Sequence, residues 1–388
     1  MTPAARVAAA IDILDAILEG TAAEKVLTGW GRKNRYAGSG DRAAIRDHVF
    51  QALRQRRSYG HIGGGDTGRG LMLGWAHTSG SASTALFSGE KYAPDAIRET
   101  EITALNLSDA PRAVQLDCPD WLLDRFDATF GEQTDDVLAL MQGRAPVFLR
   151  VNLAKCDVET ARTALLETQI ETAPHPLSET ALEVLTNPRR IRQSEAYLNG
   201  MVELQDAASQ AVVDFLKIDG SASVLDYCAG GGGKSLAIAA SGVANITCHD
   251  QDPLRMKDIP ARAERAGATL TIASNEDISG QDYDLVLCDA PCSGSGSWRR
   301  SPDAKWRLTG DDLQDLTDIQ TNILGEAKDF VSKNGMLAYV TCSVFSDENT
   351  AQVDNFLKNN ADWTLVKQHH YSPLQGGDGF FVALLKRE

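Results

Sequence analysis

From residue 201 onward the 388-residue chain alternates short strand-like runs with helix-period segments, and this rhythm leaves few architectures open. A helical pattern over 206–217 leads into SVLDY (223–227). ITCHD (246–250) is followed by a helical run over 253–266 and by TLTIA (269–273). YDLVLCD (283–289) precedes a long helical pattern near 311–332 and then GMLAYVT (335–341). A helix over 347–359 and two late strands near 363–368 and 380–386 close the chain. Such alternation predicts an α/β, Rossmann-like domain with a seven-stranded doubly wound sheet. Two strand signals after the last helix predict an antiparallel hairpin at its end.

The upstream sequence has another character, so three domains are expected: 1–143 helical, 144–200 a small α+β linker, and 201–388 the Rossmann-like domain. Thr2 and Pro3 suit a helix cap and first turn, and Val7, Ile11, Leu14 and Leu18 share one helical face. Residues 41–57 repeat the period through Ile45, Val49 and Leu53. SYGHIGGGDTGRG (58–70) reads as a glycine-rich loop, with helical patterns returning in LMLGWAH, PDAIRETEITALNL and PDWLLDRFDATFG. VFLRVN (147–152) alternates like a strand, a helical run follows Asp157, and ALEVLT is a second strand candidate.

Bulk properties narrow the function classes. No run of eighteen apolar residues occurs, which speaks against a membrane span. Asp12 and Asp15 interrupt the position where a signal peptide's apolar core would sit, so a cytoplasmic protein is expected. The formal net charge of −15 counts against indiscriminate nucleic-acid binding. An RNA-directed reading needs local basic patches, and three candidates exist: Arg32, Lys33, Arg35, Arg42, Arg46, Arg54, Arg56 and Arg57; Arg189, Arg190 and Arg192; and Arg299, Arg300, Lys305 and Arg307. Each also reads as ordinary solvated surface. The seven cysteines include no CxxC pair and no Cys/His pairing at zinc spacing, so reduced thiols and no metal are expected. Cys118, Cys156, Cys248 and Cys288 read as small core residues.

VLDYCAGGGGKS (224–235) is a strand running through a glycine turn into a helix. A phosphate-binding P-loop would need glycine at Cys228, and a dinucleotide GxGxxG would need it at Ser235. The remaining ligand is S-adenosylmethionine, which has no phosphate to cradle. It calls for a tight turn, a carboxylate near the strand end (Asp226) and an acid on its ribose (Asp250, at the end of the next strand). The loop residues Cys228, Ala229, Gly230, Gly231, Gly232, Gly233 and Lys234 are therefore candidate cofactor contacts.

Two cysteine motifs follow the fourth and fifth strands: LCDAPCSGSG (287–296) and AYVTCSVFSDEN (338–349). Ligands in such sheets bind at the carboxyl ends of strands, so Cys292 and Cys342 should face one crevice. A thiol has a purpose in methyl transfer to carbon 5 of cytosine, which is a poor nucleophile. Thiolate addition at carbon 6 makes carbon 5 enamine-like, and a helix starting near Ser346 would help ionise the thiol. An amine methyltransferase would carry an Asn/Asp-Pro-Pro-aromatic segment where this chain has Asp289-Ala290-Pro291-Cys292.

Taken in order, DYCAGGGGK, HDQDPLRM, DLVLCDAPCSGSG, RRSPDAKW, TCSVFSDEN and GGDGFF resemble the Nol/Nop/Sun family of RNA 5-methylcytosine methyltransferases. VFLRVN and VELQDAASQ resemble that family's linker domain, and residues 1–60 resemble a NusB-like helical RNA-binding domain. The resemblance implies that Cys342 is the nucleophile and that Cys292 assists product release. It places Asp289 near both cofactor and base, makes Lys305 a candidate for orienting the base or phosphate, and gives an adenosine contact to Asn275 or Asp277, with spacing favouring Asn275. It also implies S-adenosylmethionine as cofactor and RNA as partner, with small-subunit (16S) rRNA expected, acted on by a monomer. A non-catalytic RNA-binding or assembly factor keeping the fold, and a methyltransferase of tRNA, protein or a small molecule, remain the alternatives.

Overall fold

The computed structural model describes residues 1–81, 83–101 and 106–387. The chain divides into two compact units. One comprises Met1–Arg144 with Trp298–Leu308, the other Ala145–Ser297 with Thr309–Glu388.

The first unit is helical. The helix Pro3–Leu18 starts where the Thr2 hydroxyl accepts from the Ala5 amide and proline fills the first turn. Val7, Ile13, Leu14 and Ile17 pack in a core with residues of the helices Ser39–Arg54 and Gly68–Thr78. The segment 58–70 differs from its expected loop form. SYGHIG completes the helix Arg56–Gly63, and the next helix begins at Gly68. Its glycines serve close packing, because a Cβ on Gly63 would collide with the Gly70 carbonyl and one on Gly74 with that of Tyr59. The expected helix over PDAIRETEITALNL is represented by single turns at Glu99–Glu101 and Leu107–Asp109, and 102–105 lie outside the described residues.

Trp298–Leu308 stands within the methyltransferase-like part of the sequence but packs in the helical unit. Its helix Pro302–Arg307 is held there by side chains. The Trp306 indole donates to the Leu53 carbonyl (2.6 Å), Asp303 accepts from the Ala23 amide (3.2 Å), and Arg54 donates to the Arg299 carbonyl (2.8 Å).

The second unit contains two sheets. The smaller is antiparallel, in the order β2-β3-β1-β4, from β1 (Val147–Val151), β2 (Thr172–Pro174), β3 (Ala181–Val184) and β4 (Val202–Leu204). The module thus runs past residue 200 to take in β4. The helix Val158–Glu167 supplies Ala161 and Leu165 to the core under this sheet.

The larger sheet has the order β10-β11-β9-β8-β5-β6-β7. Its strands are β5 (Ser223–Asp226), β6 (Asn245–Cys248), β7 (Thr271–Ile272), β8 (Tyr283–Asp289), β9 (Val331–Thr341), β10 (Trp363–Tyr371) and β11 (Phe380–Arg387). β5 to β9 are parallel, and β10 and β11 form the antiparallel ending expected from the sequence. β8 and β9 are adjacent, with Asp289 opposite Val340. Central strands are apolar on both faces because both are covered: Leu225, Val286, Leu337 and Tyr339 lie in one core, and Val224, Leu287, Ala338 and Val340 in the other. Among the described residues no helix is long and apolar enough to cross a membrane.

Candidate active site

The two cysteine motifs occupy the carboxyl ends of the paired strands β8 and β9. The chain leaves β8 at Asp289 and turns through Ala290-Pro291-Cys292, while Cys342 follows the last residue of β9 directly. Ladder bonds continue into the loops, from the Ala290 amide to the Val340 carbonyl and from the Gly296 amide to the Cys342 carbonyl (both 2.9 Å). Gly296 is itself met by the loop before β11. The Gly379 amide donates to its carbonyl (2.9 Å), and a Cβ on Gly296 would strike Gly379. This is the structural use of GGDGFF.

The loops bring the sulfurs of Cys292 and Cys342 to 3.4 Å as free, half-buried thiols. Their environments are unequal. The hydrogen bond to the Cys342 sulfur, burial, and the charges of Cys342 and Glu348 push the Cys292 thiol well up, with the Gly294 amide opposing. Cys292 therefore holds its proton tightly.

The helix expected to assist at Ser346 is only a single turn, Ser346–Glu348, ahead of the helix Thr350–Asn359. That turn carries the Glu348 side chain into the interior, where it accepts from the Ser293 amide (2.7 Å), the Ser293 hydroxyl (2.5 Å), the Ser343 hydroxyl and the Gln320 amide (3.1 Å). Glu348, Gln320, Ser293 and Ser343 had no assigned role in the sequence reading. The available signal was DEN within TCSVFSDEN.

The glycine turn follows β5. Gly230 and Gly232 have positive φ (50° and 75°), a backbone form that glycine adopts without strain. The Gly230 amide donates to Asp250 Oδ2 (2.9 Å), and Asp250 pairs with Arg255 (3.0 Å). The buried Lys234 ammonium lies 2.6 Å from Asp289 Oδ2 and over the Phe380 ring. One ion pair thus joins the glycine turn to the β8 loop that bears Cys292. The linker sheet reaches the same turn, as Arg150 donates to the Gly233 carbonyl (3.0 Å).

Asp226 is fully buried. Burial raises its carboxyl to about 7, opposed by the Ser235 hydroxyl (2.5 Å) and assisted by the charge of Asp289. Its Oδ1 has no hydrogen-bond partner. Burial also pushes the Cys228 thiol far up, leaving it an unreactive thiol.

The two adenosine-contact candidates part company here. Asp277 closes a capping box with Ser274, accepting from its amide (2.9 Å) and hydroxyl (2.7 Å), so its carboxylate serves the helix start. Asn275 Oδ1 lies 2.7 Å from His249 Nε2, and His249 Nδ1 lies 2.8 Å from the Tyr227 carbonyl. Asn275 is thereby oriented by a buried histidine at the end of β6.

Lys305 is placed in the helical unit. Its buried ammonium donates to the Asp117 carbonyl and lies over the Trp306 ring. Burial lowers it to about 8, opposed by the Asp117 charge. Of the basic clusters, Arg54 and Arg299 are buried, while Arg46, Arg56 and Arg57 pair with Glu24, Asp66 and Asp120. Among the described residues no group of three His, Cys, Asp or Glu is arranged to hold a metal.

Comparison with known proteins gives consistent likenesses. Residues 212–386 match the family described as 16S rRNA methyltransferase RsmB/F, and residues 118–192 match the ferredoxin-like domain of RsmF/B-like methyltransferases. Ribosomal RNA small subunit methyltransferase B of Photorhabdus laumondii subsp. laumondii is 30% identical over 286 residues, covering 69% of this chain and 66% of that protein. The matched part thus spans slightly less than two thirds of such relatives. Among solved structures, PH0851 superimposes with a TM-score of 0.77 at 21% identity, covering 100% of this chain and 99% of that one. A methyltransferase homolog from Pyrococcus horikoshii does so at 0.63 and 22% identity, covering 73% and 100%. These structural likenesses concern the fold alone.

Proposed function

Through residues 212–386 the chain belongs to the RsmB/F methyltransferase family, and from that premise we propose that it methylates carbon 5 of a cytosine in small-subunit ribosomal RNA, with S-adenosylmethionine as methyl donor. The observation that carries this reading is the pair of thiols 3.4 Å apart at the ends of adjacent parallel strands. Nitrogen or oxygen methylation needs no thiol. Carbon 5 of a pyrimidine needs one, and release of the product gives work to a second.

The residues present suit the cofactor. Asp226 offers a buried carboxyl oxygen with no partner, of the kind a cationic amino-acid moiety would engage. The turn Cys228–Gly233 is mostly glycine and carries little side-chain bulk, and Asp250 lies two residues past the end of β6, where a ribose hydroxyl is expected. Asn275 is the adenosine contact, since Asp277 is spent on its cap. Bound there, S-adenosylmethionine supplies an electrophilic methyl group.

The chain's own residues do the rest. Cys342, as its thiolate, adds to carbon 6 of the cytosine and places the electron pair on carbon 5. Asp289, held by Lys234, presents a fixed carboxylate between the glycine turn and the base. Once carbon 5 carries the methyl group, the carbon–sulfur bond to Cys342 breaks as the adjacent Cys292 thiol passes its proton to the departing sulfur, and the Cys292 thiolate takes the remaining proton of carbon 5, so that the aromatic ring returns. A cytosine can reach the thiols only when unstacked. Lys305 acts structurally, within the helical unit.

The test is trapping. With small-subunit rRNA and S-adenosylmethionine, Cys292→Ala should accumulate a denaturation-resistant protein–RNA adduct through Cys342, and Cys342→Ala should form none. Adducts through Cys292 in the Cys342→Ala protein would reverse the two roles. Transfer confined to tRNA would refute the substrate.

A further inference from the structure

Glu348 is 0% exposed, and none of its four hydrogen-bond donors is a cation. An ionised carboxylate buried without a counter-charge is costly, even when well hydrogen-bonded. Its donors reveal the arrangement it serves. Ser293 follows Cys292 and gives both its amide and its hydroxyl, and Ser343 follows Cys342 and gives its hydroxyl. The Gln320 amide bonds Glu348 and also the Pro291 carbonyl (3.0 Å), fixing the residue before Cys292. The next residue repeats the pattern on the other loop: Asn349 donates to the Ser343 carbonyl (3.0 Å) and accepts from the Thr341 hydroxyl (2.5 Å), flanking Cys342.

We infer that Glu348 is a positioning residue for the two thiols: it clamps the residue following each cysteine, and its negative charge beside Cys292 opposes a second negative charge on that sulfur. The inference rests on the proposed cytosine chemistry for its purpose, but not for its test.

The charge argument follows from what faces Cys292. From the β9 loop comes the Cys342 sulfur, from the following turn the Glu348 carboxylate, and from β9 the buried Tyr339 phenol, whose hydroxyl donates to the Glu348 carbonyl (2.6 Å). On β8 the Cys288 thiol is buried and pushed well up, and at the strand end Asp289 is neutralised by Lys234. The surroundings are neutral or negative, so a second negative charge on Cys292 is opposed, and Glu348 is the fixed part of that opposition.

Glu348→Gln separates the two functions. It removes the charge and keeps the side-chain length, and the serine hydroxyls can turn to accept from the new amide. The experiment follows iodoacetamide labelling of each cysteine by mass spectrometry of the full chain across pH 6 to 10. In the wild-type protein Cys342 should label at least about tenfold faster than Cys292 at pH 8, corresponding to about one pH unit of separation. In Glu348→Gln the Cys292 profile should move to lower pH and the ratio should fall to about threefold or less. Glu348→Asp should restore the wild-type order. A purely structural role would speed both labels together without moving either pH midpoint.

A wild-type protein in which Cys292 labels first, or a Glu348→Gln ratio equal to wild type, overturns the inference. If Glu348→Gln does not fold, the Ser293→Ala/Ser343→Ala double variant takes its place. It keeps the charge and cuts both hydroxyl ties, so Cys342 should stay first to label while both cysteines label at least about threefold faster. Unchanged rates would refute the clamp. Methyl transfer by the wild-type protein is measured in parallel. Absent transfer with the expected labelling would sink the proposed function and leave the role of Glu348 standing, and the opposite result would do the reverse.

Discussion

Replacing Asp226 by asparagine should stabilise the cofactor-free protein, and by more at alkaline pH. The carboxyl is raised by burial from 3.8 to about 7, so the folded state holds its proton more tightly than the unfolded state. The sign follows from that: the stabilising contribution of the neutral acid is fully present below pH 3.8 and is lost as pH rises through about 7. At about 1.4 kcal/mol per unit, the wild-type protein has lost about 1.6 kcal/mol at pH 5 and about 4 kcal/mol at pH 8. Asparagine is neutral throughout and keeps an acceptor for the Ser235 hydroxyl. The gap between Asp226→Asn and wild type should therefore widen by about 2–3 kcal/mol from pH 5 to pH 8. Urea unfolding of both proteins at the two pH values, followed by the tryptophan and far-ultraviolet signals, reads this directly as long as the slopes agree. A gap that is constant with pH, or that narrows toward pH 8, would show that Asp226 is ionised in the folded protein and would remove the argument for its orphaned oxygen.

Lys234→Met should leave Asp289 without its cation and uncouple the glycine turn from the β8 loop. Calorimetric titration should show S-adenosylmethionine affinity reduced about tenfold or more, and unchanged affinity would contradict the ion pair's role. Lys305→Met should lower the melting temperature of the helical unit yet leave the methyl-transfer rate per folded molecule within about threefold. A loss of about a hundredfold at unchanged stability would instead make Lys305 catalytic. Among the described residues the exposed Arg32, Lys33 and Arg35 form no ion pair. Replacing all three by alanine should flatten the slope of log affinity for RNA against log salt by about 2, and an unaltered slope assigns them to solvated surface.

The sequence made much of the site legible where chemistry forces unusual residue types into loops. Cys292 stands among proline, serine and glycine after one strand, and Cys342 follows another, so strand order alone places them in one crevice. The glycine turn was equally plain, since four consecutive glycines are hard to explain by folding alone, though Gly230 and Gly232 also answer a positive φ. What escaped was decided by packing between distant segments. Arg299–Arg307 reads as part of the β8 loop from its neighbours in sequence, yet Trp306, Asp303 and Arg299 are each bonded to residues about 245–280 positions away. Nothing local signals this. Lys305 looks like a free cation in sequence, and only burial against Asp117 shows where its charge is used. The glycines of 58–70 suggested a loop because glycine is a poor helix former, but close helix contact at Gly63 and Gly74 outweighs that preference. Glu348 was visible in TCSVFSDEN, and expecting a helix start there hid its alternative, a carboxylate turned inward.

The central claim is that the paired thiols serve methylation of cytosine carbon 5 in small-subunit rRNA. Bisulfite sequencing of that rRNA, from cells lacking the gene and from cells complemented with wild type or with Cys342→Ala, tests it most directly. The account predicts one protected cytosine that becomes convertible in the deletion, returns with wild type and does not return with Cys342→Ala. Persistence of every 5-methylcytosine in the deletion strain, or full restoration by Cys342→Ala, would contradict it.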